Sequence, residues 1–163
     1  MRLLGPLLLV LSTAACAAPL AYRADAGSPV VRRFDAGGLA VDVAVTVRSG
    51  EASARILGVD WEVLAGGLPI GVGTTAVEEV VPAGGETVLA LPLVLEAGAD
   101  LPEGIRPAIA RGGSVPVLVR GAVRVRDRNG DLLALPFTAE ARARVAPGAD
   151  PARVLDESEP GLP

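Results

Sequence analysis

The chain has 163 residues, enough for one domain with tails; half are apolar and only four are aromatic, Tyr22, Phe34, Trp61 and Phe137. It carries 19 acids against 15 bases, all of them arginine, for a net charge of −4, with a single cysteine and no histidine. The lack of imidazole excludes Ser-His-Asp and Cys-His nucleophile pairs and His-ligated zinc, and one cysteine cannot form an internal disulfide or a thiolate cluster.

An acidic, aromatic-poor chain also lacks the phosphate-neutralising charge and stacking platforms of nucleic-acid binders. The expectation is therefore a non-enzymatic domain with no cofactor, no metal and no nucleic-acid partner, one that binds or protects something.

Residues 1–15 read as a signal peptide: a charged start, an apolar run from Leu3 to Leu11, and the small residues Ser12-Thr13-Ala14-Ala15. The run falls short of the roughly 20 residues that span a bilayer. The lone Cys16 directly after Thr13-Ala14-Ala15 resembles the lipobox of bacterial lipoproteins, with Thr13 where leucine is preferred. That resemblance implies cleavage between Ala15 and Cys16 and lipidation of the Cys16 thiol. Two or more acyl chains anchor a protein stably where one binds reversibly, so the expected partner is a membrane, held through Cys16. Ala17 in place of aspartate implies the outer membrane, with the domain facing the periplasm. Two rival readings are an Ala-x-Ala cut at Ala15-Cys16-Ala17, which would leave a soluble secreted protein, and an incidental Cys16. Residues 16–27 read as a tether.

From Ser28 the pattern has period two, the signal of half-buried strands. A first strand lies near Val30 to Asp35. Leu39, Val41, Val43, Val45 and Val47 then share one face, with Asp42, Thr46 and Arg48 on the other. Between Ala54 and Ala65 the spacing puts Leu57, Val59, Trp61 and Val63 inward and Asp60 and Glu62 outward. Gly66-Gly67 supplies a hairpin turn, because glycine accepts positive φ. Leu68 to Thr74 returns with Ile70 and Val72 inward. After Pro82-Ala83-Gly84-Gly85 come strands Thr87 to Glu96, Ser114 to Arg126 and Leu132 to Val145. The last two bring in Val115, Val117, Val119, Val123 and Val125, then Leu133, Leu135, Phe137, Ala139 and Ala141, and are joined by a turn at Asn129-Gly130. Pro92, Pro116 and Pro136 cannot donate to a ladder and belong at edges, strand starts or bulges.

Asp100 and Glu103 resemble a helix start, with Leu101, Ile105 and Ile109 at helical spacing; Pro107 limits the helix to one or two turns. The fold class expected is all-β: a seven-stranded antiparallel sandwich over residues 28–146, with one short helix. Residues 147–163, rich in proline and acids, read as a disordered tail.

The body also resembles the late-embryogenesis-abundant (LEA) type 2 proteins, or WHy domain, over roughly Val30 to Val145. The resemblance rests on an ordered set of phrases: Leu39 to Val47, Ile56 to Leu64, Gly66-Gly67-Leu68-Pro69-Ile70-Gly71-Val72-Gly73, Val88 to Val94, Val117 to Val125, and Leu133 to Phe137. The Asn-Pro-Asn that the family commonly carries after its first long strand is here Arg48-Ser49-Gly50. The resemblance implies a fibronectin-type-III-like sandwich and a role in desiccation or stress tolerance, without catalytic residues.

Among candidate sites, Asp127-x-Asn129-x-Asp131 has a calcium-loop flavour, but Gly130 precedes Asp131 and no glutamate follows at EF-hand spacing, so a hairpin turn is the stronger reading. Arg120, Arg124 and Arg126 share one strand face, and Arg142 and Arg144 the outward face of the next. Paired, those strands would form a stripe able to contact an anionic surface, since arginine binds phosphate bidentately. The competing reading is ordinary cross-strand pairing with Asp60 and Glu62. The leading expectation is a lipid-anchored envelope protein that shields envelope components or client proteins. The alternative is an adaptor that docks onto an envelope complex by strand addition.

Overall fold

The computed structural model describes residues 22–35, 37–96, 107 and 113–145, the last without its side chain. The signal peptide expected over 1–15, Cys16 and the tail expected over 147–163 lie outside the described residues. So does the expected helix over 100–109, except Pro107.

The described chain is built from eight antiparallel strands, not seven: β1 (Tyr22–Ala26), β2 (Val30–Asp35), β3 (Gly38–Ser49), β4 (Ala54–Ala65), β5 (Leu68–Val81), β6 (Glu86–Glu96), β7 (Gly113–Arg126) and β8 (Leu132–Val145). The additional strand is β1, where the sequence suggested only tether. Alternating Tyr22, Ala24 and Ala26 give it an inward face, and it pairs with the C-terminal half of β3, Tyr22 opposite Ser49 and Ala26 opposite Val45. β2 pairs with the N-terminal half, Phe34 opposite Leu39. β6 pairs along nearly all of β3, from Gly38–Glu96 to Arg48–Glu86. Since a strand has two edges, β1 and β2 lie end to end along one edge of β3, interrupted at Gly27-Ser28-Pro29. The second sheet runs β5-β4-β7-β8. β8 lies against β1 and β2, and β5 against β6, which closes the two sheets into a sandwich.

The core is the inner face of both sheets. Leu39, Val41, Val43, Val45 and Val47 are all buried, as are Val115, Val117, Val119, Val123 and Val125. Both rows follow the alternation in the sequence, because valine fits a pleated, half-buried surface. β6 adds Leu89, Leu91 and Leu93. In β8, Leu135, Phe137 and Ala139 are buried as expected, while Leu133 at the hairpin end is exposed and Ala141 is half-buried.

Two β-bulges overturn local assignments. One lies between Ile56 and Gly58 and interrupts the pairing of β4 with both neighbours. The extra residue changes the phase, so Ile56 is buried and Leu57 is not. The other lies between Val63 and Leu64, where the partner β5 skips from Gly71 to Pro69. Val72, expected inward, is exposed, and Ile70 is half-buried. The inward slots of β5 belong to Gly71 and Gly73, and side chains from neighbouring strands fill the space above them: Leu95 lies over Gly71 and the Trp61 ring over Gly73. β5 also continues to Val81, seven residues past the expected end, with Val81 in the core.

The turns follow their sequence signals. Gly66 and Gly67, with φ of 58° and 82°, close the β4–β5 hairpin between Ala65 and Leu68, the two positive angles a type I′ turn requires. The Asp127–Asp131 loop is organised by the Asp127 carboxylate, whose Oδ1 accepts from the N–H of Asn129 at 2.8 Å and of Asp131 at 2.9 Å. That carboxylate therefore serves its own turn. Arg48-Ser49-Gly50, where the resemblance departs, joins the Pro82–Gly85 turn: the Ser49 N–H donates to the Gly85 carbonyl at 3.0 Å, and the Gly84 N–H to the Gly50 carbonyl.

Candidate functional site

The outer face of the β5-β4-β7-β8 sheet carries the arginines singled out from the sequence. β7 pairs with β8, so all five do share one face, but the register splits them. Arg120, Arg124 and Arg126 lie opposite Thr138, Ala134 and Leu132, whereas Arg142 and Arg144 lie opposite Pro116 and Ser114, at the other end of the hairpin. The result is two clusters rather than a continuous stripe, with Glu140 on the same face between them.

The β7 cluster meets the acids of β4. Arg120 is directly opposite Glu62 in the ladder, and its Nε donates to Glu62 Oε2 at 2.6 Å. Arg124 Nε lies 3.3 Å from Asp60 Oδ2. Asp60 also accepts from the Thr74 hydroxyl of β5 at 2.7 Å. One network thus ties β5, β4 and β7 across the sheet. Each exposed pair contributes only about 0.2–1 kcal/mol. For Arg120 and Arg124, cross-strand pairing is the reading the geometry favours. Arg126, Arg142 and Arg144 make no ion pair among the described residues. Sequence reasoning found both the acids and the arginines, but it could not supply the register that separates paired from unpaired.

Beside this network is a shallow, open depression of about 530 Å³, floored by Gly73 and Gly121 and rimmed by Asp60, Glu62, Thr74 and Arg120. Its polar groups already satisfy one another, so the surface is ion-paired and nearly balanced in charge. The depression lies over bare backbone: Gly73, Trp61 and Gly121 have their side-chain positions on the inner face, so only main chain separates the outward row Asp60–Thr74 from the outward row Glu62–Arg120. Trp61 sits between the two glycines. It packs against the core and is half-buried rather than enclosed, and its Nε1–H donates to Thr75 Oγ1 at 3.0 Å. The indole thus satisfies its one polar group on a neighbouring strand.

At the pole of the sandwich near β1, Arg48 donates to Glu86 Oε2 at 2.9 Å and to Asp25 Oδ2 at 3.1 Å. Its guanidinium pKa is raised, first by the hydrogen bond to Glu86 and, against some desolvation, by the charges of Glu86 and Asp25. Cys16 and Ala15, the expected lipidation and cleavage positions, lie outside the described residues.

No family model matches the chain, and no curated protein does. Solved structures do. An Arabidopsis thaliana protein, AT1g01470, is similar with a TM-score of 0.60 at 14% identity, over 76% of this chain and 82% of that one. A late embryogenesis abundant (LEA) protein, At2g46140.1, is similar with a TM-score of 0.60 at 12% identity, over 78% and 72% of the two chains. A protein from Archaeoglobus fulgidus gives 0.55 at 16% identity, over 74% and 95%. The chain therefore has a LEA-like β-sandwich fold.

Proposed function

We propose that this is a non-enzymatic, lipid-anchored protein of the bacterial envelope whose WHy-type LEA domain shields envelope components or client proteins under desiccation or related stress. The observation that carries the reading is the LEA-like fold, which extends over 78% of the chain. The lipobox-like Thr13-Ala14-Ala15-Cys16 supports the anchor, and Ala17 supports an outer-membrane location facing the periplasm.

The edges of the sandwich favour shielding over the adaptor reading. Each edge of the two sheets carries a proline: Pro29 in the break between β1 and β2, Pro92 in β6, Pro69 in β5 and Pro136 in β8. Proline removes a ladder donor, and edge prolines are a recurrent defence against edge-to-edge pairing. An adaptor that worked by strand addition would be confined to the proline-free stretches, such as Ile70 to Val81 of β5.

The test is protection of a labile enzyme through drying or freezing by the purified chain from residue 17 onward, against an equal mass of albumin. Greater recovery of enzyme activity is expected; recovery no better than albumin's counts against shielding. The anchor is tested separately with Cys16→Ser, which should abolish palmitate labelling and release the protein from membranes.

A further inference from the structure

The two outer faces of the sandwich differ in chemistry. That of the β5-β4-β7-β8 sheet is charged, and its exposed Val72 and Leu132 each stand opposite a charged residue, Glu62 and Arg126. On the other sheet, the outward positions of β6 between its terminal glutamates are Val88, Ala90, Pro92 and Val94, all exposed, with Val88 at 60% and Val94 at 63%. In register beside them on β3 are Thr46, Ala44, Asp42 and Ala40, and beyond Asp42 lies Val30 of β2, 62% exposed. Most acids on this face are paired locally, Asp42 with Arg32, Asp25 with Arg23 and Arg48, and Glu86 with Arg48, while Glu96 at the end of β6 makes no ion pair among the described residues. What is left is an apolar strip along β6 and the alanines of β3, with Val30 beyond it across the paired Asp42 and Arg32.

We propose that this face, carrying Val30, Val88, Pro92 and Val94, lies against the lipid surface of the membrane that holds the anchor. The inference rests on the reading that Cys16 is lipidated. The chain enters the fold through this sheet: Tyr22 begins β1, and only five residues separate it from Cys16. Six peptide steps reach at most about 20 Å. Asp25 of β1, Thr46 of β3 and Val88 of β6 form one row, so the apolar strip begins two strand spacings, about 10 Å, from β1. The charged outer face belongs to the other sheet and points away from β1, with that sheet's backbone about 10 Å behind β1 across the core. An anchor on this leash presents the nearer sheet to lipid at high effective concentration. Apolar side chains flanked by arginine suit the boundary between headgroups and acyl chains. The β6 backbone remains paired to β3, so contact would be shallow and would leave the strand edge out of the hydrocarbon.

The experiment uses the full lipidated chain in vesicles of phosphatidylethanolamine and phosphatidylglycerol. Acylation leaves no other thiol, so Val88→Cys, Val94→Cys and, on the opposite face, Val72→Cys each take one environment-sensitive fluorophore. Quenching by phospholipids brominated on the acyl chain should be at least about twofold deeper at positions 88 and 94 than at 72. Equal quenching at all three, or deeper quenching at 72, overturns the proposal. Energy transfer between labelled copies without lipid quenching overturns it as well, in favour of a second copy of the chain. The mass of the Cys16 peptide reads the anchor independently. If that thiol proves unmodified, the anchor reading falls, and the same three labels on a chain held by a histidine tag at residues 10–16 on nickel-chelating lipid decide the face.

Discussion

The Trp61 ring occupies the space that a side chain at Gly73 would need. The two residues face each other across the β4–β5 ladder, and a β-carbon built on Gly73 would overlap Cζ2 of the indole and stand 2.8 Å from Cη2. One step across the sheet the relationship repeats. Gly121 lies between Trp61 and Phe137 in register, and a β-carbon there would meet the Asp60 carbonyl and lie 2.9 Å from the Phe137 ring. The row Gly73–Trp61–Gly121–Phe137 alternates missing side chains with large rings, so each aromatic packs on a bare stretch of backbone, an arrangement that restores packing lost at strand glycines.

Gly73→Ala should therefore destabilise the domain by about 1–3 kcal/mol through overpacking, and Gly121→Ala by more, because there the obstacle is backbone rather than a movable ring. Urea denaturation of each variant measures the loss. Since Trp61 is the only tryptophan, its emission should also shift in Gly73→Ala as the ring is displaced. A Gly73→Ala protein with unchanged midpoint and emission would contradict the packing described.

The same row shows how far the sequence could be read. The valine rows of β3 and β7 were legible because, apart from Leu39 and Gly121, their inward positions hold valine and no bulge shifts the period. β5 was not, since its inward positions are Gly71 and Gly73, which leaves Ile70 and Val72 as the apparent apolar face. Reading that strand correctly requires knowing that Leu95 and Trp61 arrive from elsewhere, a tertiary fact. At Ile56–Gly58 a bulge reversed the phase within one strand. β1 was hidden by its brevity, five residues between Ala21 and Gly27, and by the small alanines on its inward face. On the charged face, residue types revealed the acids and arginines, but the β7–β8 register was needed to separate Arg120 and Arg124 from Arg142 and Arg144.

Gly66 offers a backbone test. Its φ of 58° lies where an L-residue with a β-carbon loses about 1–2 kcal/mol, and Gly67 must also be positive to complete the type I′ turn. Gly66→Ala should cost close to that amount in thermal or urea unfolding. Gly66→Asn should cost much less, because asparagine tolerates the left-handed region and Asn-Gly is a favoured pair for this turn. Equal losses for the two variants would show that the turn geometry is not what matters at this position.

Glu62 and Arg120 allow a measured coupling. They are opposite each other in the ladder and both are accessible to solvent, Arg120 with 54% of its side chain exposed. A double-mutant cycle with Glu62→Gln and Arg120→Gln should give about 0.2–1 kcal/mol, shrinking as salt is raised. The exchanged pair, Glu62→Arg with Arg120→Glu, should recover most of the loss of either charge reversal alone. A coupling of several kcal/mol would instead mean that the depression beside the pair is less open to water than its shape indicates.

The pH profile follows from what titrates. Arg48 holds its proton more tightly in the folded chain, chiefly through Glu86. A pKa raised on folding contributes stability that is complete below the unfolded value and is lost only as pH rises through the folded one. For an arginine both values lie far above neutrality, so this contribution is constant across the physiological range. No histidine is present to charge or discharge, and histidine is the side chain that ordinarily titrates there. The melting temperature should accordingly be flat from about pH 6 to about pH 9. Arg48→Gln should lower the whole plateau without tilting it, since the variant removes a charge that never titrates in that window. A sloping plateau in the wild-type chain would require a group with a strongly displaced pKa, and differential scanning calorimetry across the range would reveal it.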